Sequence, residues 1–179
     1  MKIAIIGAGI AGLTLSHRLA EQHDVTVLEK ARGPGGRMST RRADPYAFDH
    51  GAQYFTAESD RFRAYLSDLE ARNIVAPWPK ELSLHADARV SDKPKFVAQP
   101  GMNAICKTLA SALDVRTQIH ASGFTRNSDG WWIETQTKDR MGPFDWIMST
   151  APADQTAALM PADFSGQAEL ARVRMSGCF

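Results

Sequence analysis

The sequence predicts an α/β fold with a parallel sheet at its centre. The chain opens on a strand–helix–strand pattern between Lys2 and Lys30, and the first turn of that pattern is spaced Gly7-x-Gly9-x-x-Gly12. The second strand closes on an acid, Glu29, 17 residues after Gly12. A strand-rich stretch over residues 118–150 then follows a third helical segment. A glycine triplet alone is a weak signal; a strand before it, a helix after it and an acid at the end of the next strand make it a specific one for a Rossmann-like dinucleotide-binding unit.

Each element of that unit has a physical reason. Ile3-Ala4-Ile5-Ile6 is a short apolar run suited to a strand buried on both faces. Gly7 permits the tight turn out of the strand, Gly9 lets backbone approach a pyrophosphate, and Gly12 lets the helix pack close to the sheet. The helix runs to about Gln22 and offers its free N–H groups and positive dipole end to phosphate oxygens. His23-Asp24 turns the chain into Val25-Thr26-Val27-Leu28, and Glu29 is placed to accept hydrogen bonds from both hydroxyls of a ribose. An acid there repels a 2′-phosphate and disfavours NADP; Arg32 nearby is the opposing feature.

Residues 29–42, EKARGPGGRMSTRR, form a second glycine-rich loop (Gly33, Gly35, Gly36) followed by Arg37, Arg41 and Arg42. Guanidinium groups pair bidentately with phosphate oxygens, so this loop suits a second approach to a diphosphate. A plain NAD domain has no need of it. Further on, Gly51-Ala52 is small enough for backbone to lie close to a flat ring, and His50 and Gln53 supply hydrogen-bond donors.

The middle of the chain is read from periodicity. Phe62, Tyr65, Leu66 and Leu69 recur at helical spacing after Glu58-Ser59-Asp60, predicting a helix over 58–72. Pro77-Trp78-Pro79 breaks the chain and starts a strand-rich insert to about Pro100. Trp78 is a candidate for a pocket wall and equally a packing residue. A helix after Pro100-Gly101-Met102 carries Met102, Ile105, Cys106, Leu109 and Leu113 on its apolar face, which makes Cys106 a buried small apolar residue, not a nucleophile. From Ile119 to Thr150 a three-stranded meander is expected, with strands over 118–126, Trp131–Thr137 and Phe144–Thr150 and turns at 127–130 and 139–142.

Composition sets the outer limits. The chain has 179 residues, 44% of them apolar, enough for one sizeable core and a smaller lobe. Its net charge of +1 gives no argument for a nucleic-acid or membrane surface. Two cysteines without a CxxC spacing, Cys106 and Cys178, fit a reducing compartment; a cytoplasmic protein is expected. No GxSxG, HExxH or histidine cluster with metal spacing occurs, so neither a metal site nor a catalytic residue is assigned. His17, His23, His50, His85 and His120 are scattered, and four of the five are expected at the surface.

The order of these motifs resembles a family. GAGIAG, EK-x-R-GPGGRMSTRR, FDHGAQYF (Phe48–Phe55), QPGMNAI (Gln99–Ile105) and GPFDWIMSTAP (Gly142–Pro152) are similar to renalase-like flavoproteins of the flavin-containing amine oxidase superfamily, over nearly the whole chain. The resemblance implies FAD as cofactor. It places Gly7, Gly9, Ile10, Ala11 and Gly12 on the pyrophosphate and Glu29, with Lys30 beside it, on the adenosine ribose. Gly36, Arg37 and Met38 would run along the diphosphate and ribityl chain, and His50, Gly51, Ala52, Gln53 and Tyr54 past the isoalloxazine. Ile119 would give adenine a backbone contact. It also implies a meander as the crossover between parallel strands, an FAD-binding domain of residues 1–55 and 100–153, and a partial substrate-binding domain of 56–99 and 154–179. The implied activity is an oxidoreductase taking hydride from a dihydronicotinamide dinucleotide isomer or an amine and passing electrons to O2. Family members are longer and return late to the cofactor domain with a Gly-Asp segment, so this chain is expected to represent their N-terminal part. Two alternatives stand beside this one: a catalytically incomplete nucleotide-binding fragment that needs a partner or that further part, and an NAD-dependent Rossmann dehydrogenase.

Overall fold

The computed structural model describes residues 1–79 and 93–176. Along the chain run β1 (Lys2–Ile6), α1 (Ile10–Ala20), β2 (Asp24–Glu29), a 3-10 turn (Gly36–Met38), β3 (Thr40–Ala43), β4 (Tyr46–Asp49) and β5 (Phe55–Thr56). These are followed by α2 (Asp60–Ala71), β6 (Val75–Pro77), β7 (Lys95–Ala98), α3 (Asn103–Ala110), β8 (Asp114–Thr117) and β9 (Ala121–Asn127). The last are β10 (Gly130–Thr135), β11 (Arg140–Phe144), β12 (Trp146–Ser149), α4 (Ala153–Leu159) and α5 (Gln167–Arg172). The elements group into two units, Met1–Pro34 with Leu109–Phe179, and Gly35–Thr108.

The first unit is built on a four-stranded parallel sheet in the order β12-β1-β2-β8. All of β1 after Lys2 and all of β2 after Asp24 are buried. That is why both read as unbroken apolar runs instead of alternating ones. Ala4, Ile6 and Leu28 pack with Ala121, Phe124 and Ile133 of the antiparallel meander β11-β10-β9. Alternation along the strands turns Ile3, Ile5 and Val27 to the opposite face, where α1 contributes Leu13 and Ser16, both fully buried. The layers are therefore helix, parallel sheet and meander, and the meander connects the parallel strands β8 and β12, as the resemblance implied.

Three sequence expectations in this unit are corrected. The expected first meander strand, 118–126, begins only at Ala121, and Asp114–Thr117 before it is a parallel strand that the sequence reading lacked. Ile119 thus lies in the link between β8 and β9, not within a strand. The expected third strand, Phe144–Thr150, is also two elements. Arg140–Phe144 closes the meander, and Trp146–Ser149 joins the parallel sheet beside β1. Asp145 makes the break: its N–H donates to Lys2 O at 2.8 Å and its Oδ2 accepts the Lys2 N–H at 2.7 Å.

In the second unit β5, β7 and β6 form an antiparallel sheet and β3–β4 a hairpin. The hairpin is absent from the sequence reading because β3 and β4 contain no buried residue, β3 is mostly polar, and the aromatics of β4, Tyr46 and Phe48, lie exposed. The helix expected over 58–72 is α2. Ser59 caps it by accepting the Phe62 N–H at 3.2 Å, and Leu66 and Leu69 are its buried side chains. Asn73, at φ 56°, ends it in the left-handed conformation that asparagine tolerates. The strand-rich insert expected after Pro77 lies for the most part outside the described residues, with His85; β6 and β7 flank it. Among the described residues no helix is long and apolar enough to cross a membrane.

Candidate dinucleotide-binding site

The glycine loop leaves β1 at Gly7, whose φ of +102° is one that side-chain-bearing residues rarely adopt. Gly7 N–H donates to Leu28 O at 2.8 Å, tying the turn to the neighbouring strand. Gly9 is the N-cap of α1, extended at φ −79° and ψ 176°, and its carbonyl accepts the Leu13 N–H at 3.0 Å. No side chain caps the helix and no acid sits in its first turn, so Ile10, Ala11 and Gly12 begin it without a competing carboxylate. Ile10 and Ala11 are exposed on the loop, while Gly12 is buried. A Cβ on Gly12 would sit 2.0 Å from Gly7 O and 2.8 Å from Thr150 Oγ1. The glycine is therefore required by close packing of helix on strand, as its spacing predicted.

Thr150, which the sequence reading placed at the end of a meander strand, is part of this loop. Its N–H donates to Ile6 O at 3.0 Å, and its hydroxyl lies 2.9 Å from Ile6 O and 3.3 Å from Gly7 O. It pins the exit of β1 from the β12 side, and Ser149-Thr150-Ala151-Pro152 was the available sequence signal.

Glu29 stands at the end of β2 and is 7% exposed. Its Oε2 accepts the Ala8 N–H and its Oε1 accepts the Ala31 N–H, both at 2.8 Å. The carboxylate holds the glycine loop to the tip of β2 before any ligand arrives. A carboxylate has about four acceptor sites, so two remain for a ribose diol. Lys30 points away to solvent and donates to Gln155 Oε1 at 3.0 Å. Ile119 is half-buried, and its N–H donates to Glu29 O at 3.0 Å, so its carbonyl is the group left to offer a purine amine. These residues fit the adenosine diphosphate half of a dinucleotide: a cradle that a Cβ would fill, an uncapped helix start and a buried acid at the ribose position.

In the second unit the two remaining candidate segments meet. Arg37 O accepts the Ala52 N–H at 2.9 Å, and a Cβ on Gly51 would lie 2.1 Å from the same oxygen. Gly36 starts the 3-10 turn at φ +54° after Gly35 at +150°. Arg37, Arg41 and Arg42 are exposed, as are His50, Gln53 and Tyr54, and Met38 is half-buried. His50 Nε2 lies 3.3 Å from Ser39 Oγ, which orients the ring along the turn. Asp49, unassigned by the sequence reading, is structural: its Oδ1 accepts the Thr40 hydroxyl and the Met102 N–H (3.0 Å), and Thr40 Oγ1 accepts the Asn103 N–H (3.3 Å), which closes the start of α3.

Cys106 is fully buried, as expected, with its thiol 3.9 Å from Gly35 O, and burial pushes its pKa up to about 11. Because the folded pKa is raised, the stability associated with the protonated thiol is intact below about 9 and is lost as pH rises towards 11. In a Cys178→Ser background, Cys106 is expected to resist iodoacetamide in the native protein at about pH 8 and to react promptly once unfolded. Native alkylation at the unfolded rate would contradict its burial. Of the remaining histidines, His50 and His120 are exposed and His17 and His23 half-buried, with the His17 ring 2.8 Å from Leu109 O. Among the described residues no group of three His, Cys, Asp or Glu side chains could hold a metal ion.

The fold is Rossmann-like, and the cradle has the shape and polarity that suit the adenosine diphosphate half of a dinucleotide. Residues 5–69 match the NAD(P)-binding Rossmann-like domain family. A 52-residue stretch is 50% identical to the 4,4'-diapophytoene desaturase (4,4'-diaponeurosporene-forming) of Staphylococcus aureus, covering 28% of this chain and 10% of that protein. Among solved structures, a CLA-producing fatty acid isomerase from P. acnes superposes with a TM-score of 0.70 at 14% identity, covering 95% of this chain and 63% of that one. A candidate protoporphyrinogen oxidase from Exiguobacterium sp. 255-15 (TM-score 0.65, 13% identity) is covered over 63% of its length by 96% of this chain. A Pyrococcus furiosus protein (TM-score 0.67, 14% identity) is covered over 66% of its length by 98% of this chain. The chain thus spans about two thirds of these structures and a small part of the desaturase.

Proposed function

We propose that this chain carries the FAD-binding part of a flavin-dependent oxidoreductase. The observation that carries the reading is the buried Glu29 carboxylate locked to the glycine loop through Ala8, beside an α1 start that no side chain caps. The stretch shared with the desaturase supports an oxidoreductase, and the second glycine turn, joined to Gly51-Ala52 through Arg37 O, gives the chain a feature that NAD binding leaves without a role. Within that class the motifs Gly36–Arg42 and Phe48–Phe55 favour the renalase-like branch. Bound FAD would accept hydride from a reduced carbon next to nitrogen, in a dihydronicotinamide dinucleotide isomer or an amine, and deliver electrons to O2. The chain's own residues bind and orient: Gly7, Gly9, Ile10, Ala11 and Gly12 the pyrophosphate, Glu29 the ribose, Ile119 the adenine. Residues 1–55 and 100–153 serve the cofactor in this reading, and 56–99 with 154–179 the substrate. Because the chain covers 63% of its structural neighbours' length in two cases, turnover can require a further segment or a partner even where FAD binds.

A second reading, an NAD-dependent dehydrogenase, is favoured by the matched domain family alone. The visible spectrum of the purified protein, with released cofactor identified by chromatography, separates the two. A flavin spectrum with FAD released is the expected result. A colourless protein that ignores added FAD and binds NAD reversibly would replace the flavin reading with the dehydrogenase.

A further inference from the structure

The three-stranded sheet β5-β7-β6 has two faces of different character. Pairing of Phe55 and Pro77 with Phe96, and of Val75 with Ala98, sets these residues on one face. That face packs on α2, where Phe62 lies 5.9 Å from Phe55 and Leu66 and Leu69 are buried. The opposite face carries Thr56, Lys95, Val97 and Ala76 by the same register, with Tyr54 and Trp78 at its ends. Trp78 extends the pairing through its N–H to Lys95 O at 2.8 Å.

Three side chains on this face form a corner. The Tyr54 and Trp78 rings meet edge-on, with centroids 6.0 Å apart and planes at 65°. Lys95 Nζ sits 4.7 Å from the Tyr54 centroid. Tyr54 is 45% exposed, and Trp78 and Lys95 are half-buried. Among the described residues no carboxylate pairs with Lys95.

We propose that Tyr54, Trp78 and Lys95 form a binding site for a flat aromatic ring that bears an anionic group. Two rings at a steep angle offer an incoming ring one edge and one face, the arrangements that aromatic pairs prefer. The ammonium decides the charge. A neutral or cationic ring covering the corner would strip water from Lys95 without replacing it, whereas a carboxylate or sulfonate pairs with it as the ring docks. The site rests on the second unit's own geometry, and it shares Tyr54 with the isoalloxazine contact that the resemblance implies.

The test is a titration of the whole chain with naphthoate and with naphthamide, the same ring without the charge, followed by the indole N–H resonance of Trp78. Naphthoate is expected to shift that resonance saturably, and naphthamide to bind about fivefold more weakly, the effect of one partly exposed ion pair. Lys95→Met, which keeps the stem and removes the charge, is expected to erase the difference; unchanged ring resonances of Phe55 and Phe62, on the other face of the same sheet, verify its fold. Equal affinities in the native chain, a preference that survives in Lys95→Met, or no movement of Trp78 overturns the proposal. A colourless protein that binds naphthoate tells against the flavin reading alone, and a protein that releases FAD but whose Trp78 stays unresponsive after the cofactor is removed tells against this site alone.

Discussion

Replacing Gly12 with alanine is expected to abolish dinucleotide binding and to cost about 3 kcal/mol or more of stability, in the range of an overpacked core position. The added Cβ would lie 2.0 Å from Gly7 O, a distance that no rotamer can relieve because Cβ has none. Nor can the carbonyl yield easily. Gly7 is held by its own N–H to Leu28 O and sits beside the Thr150 hydroxyl, so moving it disturbs β2 and β12 together. The remaining adjustment is for α1 to lift from the sheet, which unpacks Leu13 and Ser16 and swings the helix start away from the phosphate position. Gly33→Ala is the matched control: its Cβ meets nothing within 4 Å, and a small stabilisation through the unfolded state is the expected sign. Thermal melts and FAD titrations of the two variants check this, and a Gly12→Ala protein that melts with the native chain and binds FAD would refute the packing argument.

Which parts of the molecule were legible in advance follows from where the apolar side chains are. β1 and β2 are buried on both faces, so their composition alone announces them, and the glycines between them are required by a clash measurable in the folded chain. α2 and the helix bearing Cys106 were legible because each buries a stripe at helical spacing. β8 was not: Asp114-Val115-Arg116-Thr117 is an edge strand whose exposed residues carry an ion pair, Arg116 Nη2 to Asp114 Oδ2 at 2.9 Å, and its apolar content is a single valine. The boundary between β11 and β12 was hidden for the opposite reason. Phe144 to Met148 contains four large apolar residues that belong to two sheets, and the residue that separates them, Asp145, acts through a backbone partner 143 positions away. Such a long-range contact leaves no local pattern. The same holds at the site: Glu29 was legible as an acid at the tip of β2, but its grip on Ala8 and Ala31 needs the folded loop to be seen.

That grip makes Glu29 the second position where a large effect is expected. Glu29→Ala would leave two backbone N–H groups without their acceptors, one of them on the fully buried Ala8, at a cost of about 1–3 kcal/mol for each buried orphan. Glu29→Gln is the more informative variant. Its single carbonyl oxygen can accept from Ala8 or from Ala31 but not both, and its NH2 group must face the other N–H, donor against donor. Stability should therefore fall in both variants, less in Glu29→Gln, and denaturant unfolding would read the order. The nucleotide consequences separate the two roles of the carboxylate. If it only braces the loop, both variants weaken every ligand alike, ADP and 2′-phospho-ADP included. If it also accepts the ribose hydroxyls, Glu29→Gln is expected to lose ADP affinity by about tenfold, the scale of one charged hydrogen bond, while the 2′-phosphorylated analogue, no longer repelled, loses little or gains. A Glu29→Gln chain that still prefers ADP by the native margin would confine Glu29 to its structural role and require another group to hold the ribose.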